Sequence, residues 1–106
     1  MGRIHIAIGS ADIEASVRDY SERLGREPEV VIPGEYALWR TDILNFSVRK
    51  VPGGESGQLR HLGWEDPSCG TFSTETDVNG ILWERFTREQ QSDEIDAAWA
   101  ESRGRR

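Results

Sequence analysis

Cysteine and lysine are almost missing from this sequence: Cys69 and Lys50 are the only ones in 106 residues. A single cysteine excludes an intramolecular disulfide and fits a reducing compartment. Acidic residues outnumber basic ones 19 to 13, for a net charge of −6. Phosphate backbones require clustered cations, so nucleic acid is not an expected partner. The short basic end Arg103-Gly104-Arg105-Arg106 suits a cation cluster at a helix terminus instead. No apolar run approaches the roughly 20 residues that cross a bilayer, so no membrane partner is expected either. The first residues, Met1 to Ile6, read straight into a strand with no signal-peptide pattern, and a cytoplasmic protein is expected.

Apolar residues make up 36% of the chain and charged residues 30%, which suits one domain over 1–106 with a lean core. Four tryptophans, three phenylalanines and two tyrosines supply much of the burial. So lean a core often gains stability by pairing with a second copy, and a homodimer is the expected assembly.

The order of elements reads as α+β. Arg3 to Ile8 alternates Ile4, Ile6 and Ile8 with His5 and Ala7, which predicts a strand with the isoleucines on one face. A helix should follow, capped by Ser10 or Asp12, with Ile13, Val17, Tyr20 and Leu24 on one stripe and Gly25 at its end. Three short strands, from Glu29, Tyr36 and Ile43, complete a βαβββ pattern over residues 1–50. Residues 51–58, rich in glycine, form a linker. The shorter half, 59–87, holds strands at Leu59 to Glu65 and Ile81 to Phe86, with Asp66 to Thr76 read as loop. Thr87 and Gln90 have the spacing of a capping box, which predicts a helix and tail over 88–106, lying on the surface with Trp99 as anchor.

Only two histidines exist, His5 and His61, each in an alternating strand. If Ile4, Ile6 and Ile8 face the first helix, His5 points to the opposite, open face. His61 shares a face with Gly63 and Glu65. Glu84 lies between Leu82 and Phe86, and alternation leaves its side undecided. Two imidazoles and a carboxylate on three strands are a set that Fe, Mn, Ni or Zn accepts, with positions left for water or substrate. Glu65 and Asp66 could accept the other ring N–H of His61. An ordinary surface ion pair of Glu84 with Arg85 is the alternative.

The segment from Ile4 through Asp12-Ile13-Glu14-Ala15-Ser16, Tyr20 and Leu24-Gly25 to Pro28 resembles the first strand and helix of the vicinal oxygen chelate superfamily (glyoxalases, bleomycin-resistance proteins, extradiol dioxygenases). Pro33-Gly34-Glu35-Tyr36-Ala37 and Leu44-Asn45-Phe46-Ser47 look like its branch of organoarsenical lyases and cadmium-inducible proteins. Arg60-His61-Leu62-Gly63 is similar to the strand that opens that superfamily's second module. Thr76-Asp77-Val78-Asn79-Gly80-Ile81-Leu82-Trp83-Glu84 is similar to its closing metal-ligand motif. The resemblance implies a module of this type over 1–50, with His5, His61 and Glu84 as ligands of a divalent metal ion and a small molecule as substrate or ligand.

The chain departs from that pattern in two places. Only twenty-two residues separate His61 from Glu84, so the second module is truncated. The lyase branch holds trivalent arsenic with a cysteine pair, and Cys69 stands alone. One thiolate holds a soft centre less well than two, so arsenical cleavage is not expected. The expected function is a small metal-binding glyoxalase-like protein, with a metal-dependent enzyme among its forms and no catalytic base assigned. The alternatives are a non-catalytic binder with an aromatic groove (Trp39, Phe46, Trp64, Trp83) and a dimerisation module.

Overall fold

A computed structural model describes residues 2–100, and the basic end at 103–106 lies outside the described residues. Alternating isoleucines form β1 (Arg3–Ser10). Asp12 then takes an extended conformation, and its carboxylate accepts a hydrogen bond from the Ala15 N–H, starting α1 (Ile13–Leu24). Gly25, at φ +71°, closes that helix in a conformation side chains disfavour. Next come β2 (Val30–Ile32), β3 (Tyr36–Arg40) and β4 (Leu44–Lys50). A 3₁₀ turn at Gly53–Glu55 leads to β5 (Leu59–Glu65), β6 (Ser73–Thr76), β7 (Leu82–Phe86) and α2 (Arg88–Ala98). Thr87 accepts from the Gln90 N–H while the Gln90 side chain accepts from the Thr87 N–H, so the capping box forms.

The seven strands make one mixed sheet in the order β2-β3-β4-β1-β5-β7-β6. β1 and β5 pair antiparallel at its centre. Each then pairs in parallel with a later strand of its own half, β1 with β4 and β5 with β7. Beyond these, β3 and β6 pair antiparallel with β4 and β7. The outer half 59–86 thus repeats the layout of the inner one, without its helix and with one strand fewer. β6 lies where sequence reading expects loop. All four of its residues are exposed, so no hydrophobic alternation marked it.

Register sorts the side chains onto two faces. Leu44, Phe46 and Val48 share a face with Ile4, Ile6 and Ile8 and with Ala37 and Trp39. There α1 lays Ile13, Val17, Tyr20 and Leu24 over Trp39, Val48 and Phe46. His5, Asn45, Ser47, Leu38 and Arg40 point to the other face. The expectation that this second face is open is corrected by α2. Its Ile95 packs on Ile32, Tyr36 and Leu38, and its Gln91 is buried among the polar groups. Trp99 contacts the Tyr36 ring at 4.8 Å between centroids. Gln91 and Ile95 lie four apart on one helix face. A buried glutamine looks like a solvated one in sequence, which is why the helix reads as merely superficial. Among the described residues no helix is long and apolar enough to cross a membrane.

Candidate metal centre

Three strands carry the three side chains singled out from the sequence. His5 is the third residue of β1, and His61 is the third residue of β5. In the antiparallel pair His5 lies opposite Gly63 and His61 opposite Ala7, so the imidazoles are diagonal neighbours on one face. Glu84 lies opposite Gly63 on the far side of β5. His5, Gly63 and Glu84 therefore form one row across β1, β5 and β7. Gly63 leaves the middle of that row free of a side chain, and a Cβ there would run into the Glu84 carbonyl. The carboxylate and both imidazoles converge with their ligand atoms within 4.8 Å of one another.

The result is a tight triangle. His5 Nε2 lies 3.0 Å from His61 Nε2, His61 Nε2 lies 3.1 Å from Glu84 Oε1, and the third edge is 4.0 Å. A triangle with these edges has a circumradius of about 2.0 Å, the length of a Zn–imidazole or Zn–carboxylate bond. The residues present therefore suit a divalent ion in donor type, and their donor atoms lie close enough together to share one. Among the described residues they are the one group of three or more histidine, cysteine or acidic side chains so placed. Burial pulls the His5 pKa below its ordinary value, against the raising influence of its hydrogen bond to Asn45 and of Glu84. A neutral imidazole is the form that ligates. Phe86, fully buried, meets the His5 ring edge-on at 5.1 Å and stacks on Phe72 at 5.7 Å, closing one side with apolar surface.

A buried polar network determines which nitrogen of His5 faces the gap. Glu65 Oε1 accepts hydrogen bonds from Arg40 Nε at 2.8 Å and Asn45 Nδ2 at 2.7 Å, and Oε2 accepts from Arg3 at 2.7 Å. Gln91 Oε1 accepts from Arg40 at 2.6 Å and from Asn45 Nδ2 at 2.8 Å. Two acceptors on one side fix the Asn45 amide with its NH₂ toward them and its Oδ1 toward His5 Nδ1, 2.8 Å away. That oxygen can only accept, so His5 carries its proton on Nδ1 and presents the Nε2 lone pair to Glu84 and His61. Arg40 also pairs with Glu29.

This corrects two expectations. Glu65 supports His5 through Asn45 rather than accepting from His61. Asp66 instead accepts from Ser68 at 2.8 Å and from Arg85 at 2.5 Å, which also takes Arg85 away from Glu84. Sequence reading missed Asn45, Arg40 and Gln91. Their one legible signal was that Asn45 and Ser47 alternate out of phase with Leu44, Phe46 and Val48.

Two cavities meet at His61 and Glu84, and one of them also reaches His5. One, of about 140 Å³, lies under α2 and is lined by Tyr36, Ser47, Arg49, Arg60, Phe72 and Trp99 besides the three candidate ligands. The other, of about 360 Å³, opens past Arg60, His61 and Glu84 toward Gly9 and Gln58. Burial pushes the Tyr36 hydroxyl pKa up, partly opposed by Ser47, so Tyr36 stays protonated. Of the four aromatics proposed as a groove, Trp64 and Trp83 line a cavity of about 290 Å³ together, without Trp39 or Phe46. All four share the α1 face, but Trp39 is wholly buried beneath α1 while Trp64 lies exposed two strands past β4. Cys69 is half-buried, lies outside the cluster, and its thiol hydrogen-bonds the Thr71 carbonyl at 3.0 Å. Comparison with protein-family models and with curated proteins gives no match.

Proposed function

We propose that this protein is a small metalloprotein of vicinal oxygen chelate type, holding one divalent ion (Fe, Mn, Ni or Zn) on His5, His61 and Glu84 and binding a small molecule beside it. The observation that carries this reading is the triangle of Nε2, Nε2 and Oε1 atoms, whose common centre lies one metal–ligand bond from each. The two-half sheet supports it, since each half opens with a strand whose third residue is a triad histidine. When bound, such an ion supplies Lewis acidity and open coordination positions. The chain's own groups do the rest. Asn45 holds the His5 tautomer, Phe72 and Phe86 keep water from one side, and protonated Tyr36 can donate a hydrogen bond into the cavity.

The test is metal content by mass spectrometry after loading with Fe(II), Mn, Ni or Zn and desalting. Wild type should retain close to one ion per chain, and His5→Ala and Glu84→Ala should lose it while keeping the wild-type circular dichroism. Folded wild type without bound metal would overturn the reading and leave a non-catalytic binder on this frame.

A second reading, compatible with the first, is assembly into a homodimer. On the α1 face, Leu62, Trp64 and Trp83 lie beyond the reach of the helix, and Trp64 is 41% exposed. Apolar surface left on a sheet face is a common site of self-association. Trp64→Glu should shift a wild-type dimer to monomer in light scattering. A wild-type monomer at high concentration would rule the dimer out.

A further inference from the structure

β5 breaks its own alternation one residue before His61. Its register with β1 runs from Glu65–Arg3 back to His61–Ala7, and the next pair is Leu59 with Ile8. Arg60 is therefore the extra residue of a β-bulge. Simple alternation would send Arg60 to the α1 face, away from His61. The bulge turns it back, and Arg60 lines both cavities at the triad. Arg49, from β4, lines the same cavity under α2, with its guanidinium 4.9 Å from the Trp99 ring centroid.

Arg3, Arg23, Arg40, Arg85 and Arg88 each have a carboxylate partner. Among the described residues Arg18, Arg26, Arg49 and Arg60 have none within 4.0 Å, and of these four Arg49 and Arg60 line the cavity at the triad. Arg49 lies close enough to repel Arg60, and Glu84 attracts it. Two other carboxylates face this region. Glu94 lines the cavity under α2 and Glu55 the one beyond, and both are exposed, as Arg49 and Arg60 themselves are at the cavity mouth. Two neighbouring guanidiniums repel, and each is a planar fork matched to an oxyanion. The Arg49 guanidinium lies over the Trp99 ring, a contact that holds it at the cavity.

We propose that the small molecule bound here is an oxyanion, carrying a carboxylate or phosphate group that sits between Arg49 and Arg60 in the cavity under α2. The cavity, about 140 Å³, is below the ~300 Å³ at which drug-sized pockets begin, so the ligand is a compact one. That its far end meets a metal ion rests on the proposed function, but the arginine pair does not.

The test is calorimetric titration of inorganic phosphate and of succinate into metal-free and zinc-loaded protein, with succinamide as the neutral control. Wild type should bind at least one of the two anions and not succinamide. Arg49→Gln and Arg60→Gln should each weaken binding roughly tenfold or more, as loss of charge-assisted hydrogen bonds implies. Both variants should keep wild-type metal content and circular dichroism, and Arg60→Lys should restore part of the affinity. Absence of anion binding in both forms of the wild type, or wild-type affinity in the two Gln variants, would overturn the proposal. Anion binding that needs the arginines, in a protein that holds no metal, would support this site while removing the metal centre. Metal retention without any anion site would do the reverse.

Discussion

Replacing Arg40 by leucine is expected to cost roughly 3 kcal/mol of folding stability, at the low end of the ~3–5 kcal/mol typical of breaking a buried ion pair. Arg40 and Glu65 have side chains only 5% and 4% exposed, and they are joined at 2.8 Å. The same guanidinium also serves Gln91 and Glu29. Leucine would remove three sets of hydrogen bonds and leave Glu65 in a desolvated site. Arg3 and Asn45 would still reach that carboxylate, which is why the low end applies. A domain of this size has roughly 5–15 kcal/mol to lose, so the variant should unfold at clearly lower urea. Arg40→Lys should recover little, because one ammonium cannot reach Glu65, Glu29 and Gln91 in the fork geometry. Arg40→Leu with Glu65→Leu should be less damaging than the sum of the two single changes. A cost below about 1 kcal/mol for Arg40→Leu would show that the network is not a stability element.

The same network predicts a direction with pH. Burial would raise the Glu65 pKa, but hydrogen bonds from Arg40 and Asn45 and the Arg40 and Arg3 charges outweigh it, and the folded value is depressed. A depressed carboxylate stabilises the fold above its unfolded pKa of about 4.3, and that contribution is lost as pH falls through the folded value. His5 acts in the same direction from higher pH. Its folded pKa is lowered, so the unfolded chain binds the extra proton first and stability declines below about 6.5. Urea titrations of metal-free protein should thus show stability falling from near-neutral pH toward acid. Glu65→Gln should flatten the lower part of that fall, and unchanged curvature would contradict the assignment.

Much of the fold was legible because it rests on local rules. Period two in Arg3 to Ile8, the Asp12 cap, the stripe from Ile13 to Leu24 and the Thr87–Gln90 box each depend on a few adjacent residues, and each is present in the structure. The α+β class and its two helices follow from them. β6 did not, since Ser73 to Thr76 gains only backbone hydrogen bonds from β7 and offers no apolar face. The bulge at Arg60 was equally hidden. A one-residue slip leaves no mark on composition, yet it decides which face an arginine joins.

The site divides along the same line. His5, His61 and Glu84 could be picked out because histidine is scarce and because the surrounding motifs resembled a known arrangement. Their convergence depends on strand order and on Gly63, neither of which spacing reveals. The supporting groups were invisible for a different reason. Asn45, Gln91 and Arg40 are polar residues on strand and helix faces that a sequence reads as solvated, and only α2 lying over the sheet makes them interior.

Asn45→Leu should weaken metal affinity by about 10–100-fold, the usual effect of removing the partner that orients a ligating histidine. The side chain is fully buried, and leucine methyl groups cannot sit at the 2.7–2.8 Å at which the amide meets Glu65, Gln91 and His5, so overpacking adds to the stability cost. What changes is the acceptor at His5 Nδ1. Without Oδ1 at 2.8 Å, the ring can carry its proton on either nitrogen, and the tautomer with Nε2–H cannot ligate. Glu65 and Gln91 also lose a donor, so some stability goes with the affinity. Asn45→Asp separates the two effects. It keeps an acceptor for His5 Nδ1 but replaces the NH₂ with a second carboxylate beside Glu65, at a cost in stability from like charges. Competition against a chromogenic zinc chelator, run beside urea titrations, distinguishes the contributions. The geometry requires that Asn45→Asp retain more zinc affinity than Asn45→Leu while being no more stable. Equal affinities in the two variants would mean that the Asn45 carbonyl, 3.2 Å from the same nitrogen, suffices to hold the ring.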